Sequence, residues 1–225
     1  MSMRRWAAAG LLATLTLVAP AMAVEYKIDA AQSVFAVLTH KAGIGSSLAH
    51  DHLVVAEKPS MKLEFDPDSP EALKFTFAVT VATLEVDAPG PRAAWKGRLK
   101  ELGIHSGELP PVSDSDRGKV LAALLGESQL NGAKFPQIQA EVLALERATP
   151  GAGWKVKLRL TIHGKTLERQ LQATWSEKAG TLTAEIVGEL HFKELGIEPY
   201  STLFGAIRND DLFHLYVSVV ARRAP

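Results

Sequence analysis

The chain has 225 residues, 47% of them apolar and 22% charged, the balance of a folded globular protein and not of a disordered or fibrous one. Twenty-five Lys and Arg stand against 25 Asp and Glu with no long block of one sign, so the electrostatic footprint of a nucleic-acid-binding protein is missing. Cysteine is absent, which excludes disulfides, thiol nucleophiles and thiolate metal sites together.

Arg4 and Arg5 precede an apolar run from Trp6 to Val18, and Ala21-Met22-Ala23 places small residues at −3 and −1 of a cleavage point. Residues 1–23 therefore read as a secretory signal, and the destination as periplasmic or secreted. Cutting after Ala23 leaves 202 residues with 23 basic and 25 acidic side chains. The apolar run is shorter than the roughly 18 to 20 residues that cross a bilayer, and no later stretch is apolar enough, so no transmembrane helix is expected. Residues 24–225 then form one domain.

Beyond the leader the chain alternates with period two. Ser33 to Lys41 is a weak example, while Met61, Leu63 and Phe65 alternate cleanly with Lys62, Glu64 and Asp66. Leu73 to Val81 repeats the pattern over nine residues. Trp154, Val156, Leu158, Leu160 and Ile162 alternate with Lys155, Lys157, Arg159, Thr161 and His163. Gln137 to Leu145, Leu167 to Trp175, Thr181 to His191 and Leu212 to Arg222 complete a set of about eight strands. Gly151-Ala152-Gly153, His163-Gly164-Lys165 and Lys178-Ala179-Gly180 leave only short links, so those neighbours should be antiparallel hairpins.

One stretch departs from this rule. Between Asp87 and Phe135, the prolines at 89, 91, 110 and 111 interrupt any strand. Asp114 or Ser115 is placed to cap a helix running to Leu125, with Val120, Leu121, Leu124 and Leu125 on its apolar side. Residues 87–135 thus read as a helical insertion, either a binding element or a plug on one end of the β structure.

Long one-sided strands must bury their apolar faces against a second sheet or by closing on themselves. Repeats of nine to eleven alternating residues favour an all-β fold built as an extended up-and-down antiparallel barrel over a sandwich. Its interior faces would be Phe35, Val37, Met61, Leu63, Phe65, Phe75, Phe77, Val79, Trp154, Val156, Leu158, Leu160 and Ile162. These residues can line a lumen for an apolar ligand, or simply fill an empty core.

Several segments resemble the YceI-like family. Glu25-Tyr26-Lys27-Ile28-Asp29 followed by Ser33-Val34-Phe35-Ala36-Val37 is similar to its opening strand, and Leu160 to Thr166 to its LTIHGxT hairpin. Leu130-Asn131-Gly132-Ala133-Lys134-Phe135-Pro136-Gln137-Ile138 resembles the family's FLD-x-x-KFP-x-I segment, and Phe192 to Ile197 its late F-x-x-x-x-GI turn. The resemblance implies a lipocalin-like barrel, exported to the periplasm, that holds a polyisoprenoid, quinone-like or fatty amphiphile in its lumen and makes at most transient membrane contact. It implies no catalytic activity. Three departures stand out: Gln32 where a His often precedes the first-strand Ser, Ser113-Asp114-Ser115-Asp116-Arg117 in place of an Arg-Asp pair, and Ala49-His50-Asp51-His52, which simpler members lack.

His50 and His52 are the one metal-like constellation. Two apart on a strand, they would present two imidazoles to one Zn²⁺, Cu²⁺ or Fe, with a third ligand from His40, His105, His163, His191 or His214. That is the basis of the alternative reading, a metal-dependent or redox-linked enzyme or electron-transfer partner. Other signatures fail: Gly164-Lys165-Thr166 lacks the first Gly of a phosphate loop, Gly126-Glu127-Ser128-Gln129-Leu130 lacks the second Gly of a nucleophile elbow, and Asp114 and Asp116 lack EF-hand spacing.

Overall fold

The computed structural model describes residues 24–105, 109–148 and 153–224, so the leader and Gly151-Ala152 lie outside the described residues. The strands are β1 (Val24–Ile28), β2 (Val34–Ala42), β3 (His52–Ala56), β4 (Ser60–Phe65), β5 (Lys74–Thr80) and β6 (Leu84–Val86), then β7 (Gln137–Arg147), β8 (Trp154–Ile162), β9 (Lys165–Lys178), β10 (Thr181–His191), β11 (Ser201–Thr202) and β12 (Ile207–Arg223). Helices α1 (Pro89–Glu101) and α2 (Asp114–Leu125) fall between β6 and β7. The helical insertion is thus where the prolines place it.

Eight strands close into an antiparallel barrel in the order β1-β4-β5-β7-β8-β9-β10-β12, the ring being completed where Tyr26 pairs with Arg223 and Ile28 with Ala221. From β4 to β12 the barrel strands follow one another up and down. At the closure the order changes, because β1 pairs with β4 and with β12. Strand β12 has 17 residues, roughly 55 Å of extended chain, and uses one edge twice. Ala221 to Arg223 hold β1, while Arg208 to Ser218 hold β2, which in turn carries β3 and β6 as a flange. The strands absent from the periodicity reading are short: β1 and β3 have five residues, β6 three and β11 two. Spans of that length repeat an alternating pattern too few times to stand out from turns.

Local chemistry explains the connections. His163 and Gly164 both adopt positive φ, 52° and 69°, as do Ala179 and Gly180 at 50° and 78°, the twist that a two-residue hairpin turn between right-twisted strands requires. Helix α2 begins one residue earlier than the two candidate caps imply: Ser113 is its cap, its hydroxyl accepting from the Asp116 amide at 3.1 Å.

Two apolar clusters occupy the barrel interior, around Leu158 and Leu190 and around Phe65 and Val219. A third lies outside the wall, where Leu99 of α1 packs on Leu38, Leu53 and Tyr216. A fourth joins Val79, Val81 and Leu84 to Leu124 and Leu125 of α2.

Candidate functional site: the barrel lumen

Inward-facing side chains leave two adjoining spaces. The larger, about 160 Å³, runs past Phe35, Val37, Thr39, Phe77, Val79, Leu158, Leu160, Ile162, Leu190, Phe192, Phe213 and Leu215. The smaller, about 70 Å³, is bounded by Leu63, Phe65, Leu73, Leu145, Val156, Ala173, Trp175, Leu182 and Val219. Phe75, Ile186 and Val217 border both, so the two spaces adjoin within the barrel. Their walls are aliphatic and aromatic. Phe35 lies 4.9 Å from Phe77 and 6.4 Å from Phe75, ring centroid to centroid, while Trp175 meets Phe65 edge-on at 4.9 Å. The walls have the mainly apolar character that small-molecule sites show.

Eleven of the thirteen residues chosen for alternation border these spaces: Phe35, Val37, Leu63, Phe65, Phe75, Phe77, Val79, Val156, Leu158, Leu160 and Ile162. Met61 and Trp154 do not. Met61 lies opposite Phe77 and packs half-buried on the cluster around Phe65. Trp154 begins β8 and stacks on Trp175 at 5.8 Å with the Arg147 guanidinium 4.8 Å from its ring, so it closes one end of the barrel instead of lining it.

Thr39 is the one polar side chain on the larger space. It is 6% exposed and its hydroxyl has no hydrogen-bond partner. At the other end the indole N–H of Trp175 is likewise buried and unpartnered. The larger space thus has one unsatisfied polar group in its wall, while the smaller is bordered by Trp175, with its unsatisfied N–H, and by Thr174.

His52 and His105 belong to a different environment, in the network that Arg92 of α1 joins, whereas His163 packs on Phe135 at 4.8 Å and His191 faces Asp211 at 3.2 Å. His52 Nδ1 donates to Asp87 Oδ2 at 2.6 Å. Asp87 is 1% exposed, accepts from the Leu53 amide at 2.8 Å and pairs with the buried Arg92 guanidinium. Arg92 also reaches the Asp51 carbonyl and the Pro110 carbonyl, each at 2.9 Å, which ties α1 to the 49–51 loop and to the segment before α2. Asp51 accepts from the Lys41 amide at 2.7 Å and from His105 at 2.9 Å. Burial pushes both carboxyls up, but those donors outweigh it, and Asp51 and Asp87 are held below the usual carboxylate range. His40 and His214 share a 2.7 Å hydrogen bond, and burial holds both below the ordinary imidazole value. His50 is exposed, with its ring 6.5 Å from that of His52. Among the described residues no three His, Cys, Asp or Glu side chains are grouped to hold a metal ion.

The family model for the YceI-like domain matches residues 26–220. The chain belongs to the YceI-like family. Among solved structures, Burkholderia cenocepacia BcnA aligns over 86% of this chain and 99% of its own, with 15% identity and a TM-score of 0.60. The Campylobacter jejuni YceI protein aligns over 76% of this chain and 85% of its own, with 14% identity and a TM-score of 0.54. A search of the curated proteins finds no match to this chain. The YceI-like barrel and its helices are thus shared, while the identities are low enough that side chains must be read from this chain itself.

In this YceI-like lumen the wall formed by β10 and β12 was not anticipated residue by residue. Ile186, Leu190, Phe213, Leu215 and Val217 supply it, although the alternation in Thr181 to His191 and Leu212 to Arg222 was enough to place them. Phe192, Leu195 and Ile197 enter from a loop, where no periodicity operates. The family's late turn is the sequence signal that marks them.

Proposed function

We propose that this protein is a non-enzymatic binding or carrier protein for a long apolar amphiphile of the polyisoprenoid, isoprenoid-quinone or fatty-acid type, held in the lumen of the barrel after export to the periplasm or cell exterior. The observation that carries the reading is the pair of adjoining apolar spaces inside the barrel, the larger with a single polar side chain in its wall. Each CH₂ transferred from water into such a wall contributes about 0.8 kcal/mol, so a chain of many carbons is retained on burial alone, without charge pairing. The unpartnered hydroxyl of Thr39 supplies a place for one polar group of the cargo.

The test is mass spectrometry of an organic extract of protein purified from the periplasm without detergent, beside a variant whose lumen is filled. Ala140 borders the larger space opposite Leu160. Ala140→Trp should occupy it without adding a polar group. A long-chain species near one equivalent in the natural protein, and its loss from a folded Ala140→Trp, is the expected outcome. An empty extract from the natural protein, or an equal load in the variant, overturns the reading.

A further inference from the structure

Most apolar side chains of the described chain are at least half covered. A small set is not, and its members meet at one place. Ile44 is 97% exposed, Leu48 76%, Leu203 62% and Phe204 113%, with Tyr200 beside them at 43%. Ile44 and Leu48 follow β2, and the others flank β11 before β12. The Gly45 amide donates to the Ala206 carbonyl at 2.9 Å and holds the two loops together. Gly43, at φ +92°, lies so close that an added Cβ would come within 2.4 Å of the same carbonyl oxygen. The strands that carry these loops also carry Thr39 and Phe213, paired across β2 and β12, past the larger space of the lumen.

We infer that these paired loops are a bilayer-docking tip, with Ile44, Leu48, Leu203 and Phe204 entering the headgroup and acyl boundary of a lipid membrane. The inference rests on the carrier reading for its purpose, since a membrane is the source or destination of such a cargo, but its chemistry is separate. Residues 42–50 and 199–207 contain no Asp, Glu, Lys or Arg, so nothing charged must be desolvated when the tip enters. Lys41 and Arg208 border those stretches on neighbouring strands, one register step apart, where they would meet anionic headgroups, while Asp51 and Glu198 border the other ends and stay outside the apolar tips.

Backbone geometry points the same way. Leu203 and Phe204 hold φ of 49° and 54°, a conformation costly for bulky residues, and they spend that strain on exposing apolar surface to water. Side chains this bare are projections and not a flat patch, which suits a fluid bilayer better than a second copy of the chain. A stable protein contact needs about 800 Å² of complementary surface from each partner, more than four isolated side chains supply.

Flotation with vesicles of phosphatidylethanolamine and phosphatidylglycerol tests the tip. Asn tolerates positive φ, so Phe204→Asn combined with Ile44→Ser should keep the fold, which thermal melting checks. The natural protein should float, and the double variant should partition at least about ten-fold less, the order expected for withdrawing two large side chains from an interface. Equal flotation of the two proteins overturns the inference, as does a natural protein that stays in the soluble fraction. A concentration-dependent dimer that the double variant abolishes also overturns it, because the tip would then be a self-interface. Lipid extraction of the same samples separates this inference from the carrier reading. A loaded protein that does not float leaves the carrier standing without its tip, and an empty protein that floats does the reverse.

Discussion

The inside of the barrel and the layer beneath α1 are built on opposite principles. The lumen is a continuous apolar wall around unfilled space, so its residues lose little when a neighbour is trimmed. Beneath α1 the space is filled, and Asp87, Arg92, Asp51, His52 and His105 form a buried network in which each charge has its partner. The first region is apolar and makes few demands on the pairing of its wall. The second ties the helix, the 49–51 loop and the flange strands together through matched bonds, with the Arg92 Nε left as its one buried polar atom without a partner among the described residues. Of the histidines that invite a metal reading from sequence, His52 is bonded to Asp87 in this network and His50 stands exposed outside it.

The sharpest way to break this contrast is to cut one residue from each side. Asp87→Ala leaves the Arg92 guanidinium buried without its carboxylate and should cost about 3 to 5 kcal/mol. Leu158→Ala, on a wall that already borders empty space, should cost about 2 kcal/mol, the low end for such truncations. Urea unfolding of both variants measures the gap. Equal losses would mean that the network is no more demanding than the lumen, and the contrast would fail.

Legibility in the sequence divides along the same line. Period-two alternation exposes β4, β5 and β8 clearly and β2, β7, β9, β10 and β12 more weakly, because a barrel wall sorts residues by face and that sorting is written locally. It also reached most of the lumen, since alternate residues on one strand share a side. Met61 and Trp154 show its limit: alternation gives the face but not the height along the axis, and Trp154 lies at an end where packing replaces lining. The network beneath α1 was not legible, because its bonds join residues far apart in the chain, His52 to Asp87 over 35 positions and His40 to His214 over 174. No spacing rule connects such pairs. The loop residues Phe192, Leu195 and Ile197 were legible only through resemblance, as no period marks a turn that folds inward.

A milder perturbation of the same contrast is acid. Burial keeps His40 and His214 below their ordinary range, in His40 with help from the neighbouring His214 and against Asp51, in His214 against Glu189. The unfolded chain therefore takes up protons as pH falls through about 6.5, while the folded chain does not, and stability declines from there down to the folded values. Each histidine contributes a slope of at most about 1.4 kcal/mol per pH unit in that window. Asp51 and Asp87, whose carboxyls are depressed, hold their contribution until pH drops below about 3.9 and lose it further down. Thermal melts between pH 7 and 5 should show a decline that His40→Gln with His214→Gln flattens. An unchanged pH dependence in that double variant would place the acid sensitivity elsewhere.

The smallest expected effect lies at Thr39, where the two regions touch. Thr39 borders an apolar space and its buried hydroxyl has no partner, so in the empty barrel Thr39→Val removes a buried polar atom that nothing satisfies. That should stabilise the unliganded protein by about 1 kcal/mol or less, read from urea unfolding after delipidation. With cargo present the sign reverses if the cargo brings an oxygen or hydroxyl to that point. Losing one neutral hydrogen bond then lowers retention by roughly two- to ten-fold, measured as the rate of lipid release to vesicles. A variant that is both more stable when empty and leakier when loaded would place the polar end of the cargo at Thr39, between Phe213 and the loops at the barrel mouth. A variant that is more stable and equally retentive would leave the cargo held by its apolar chain alone.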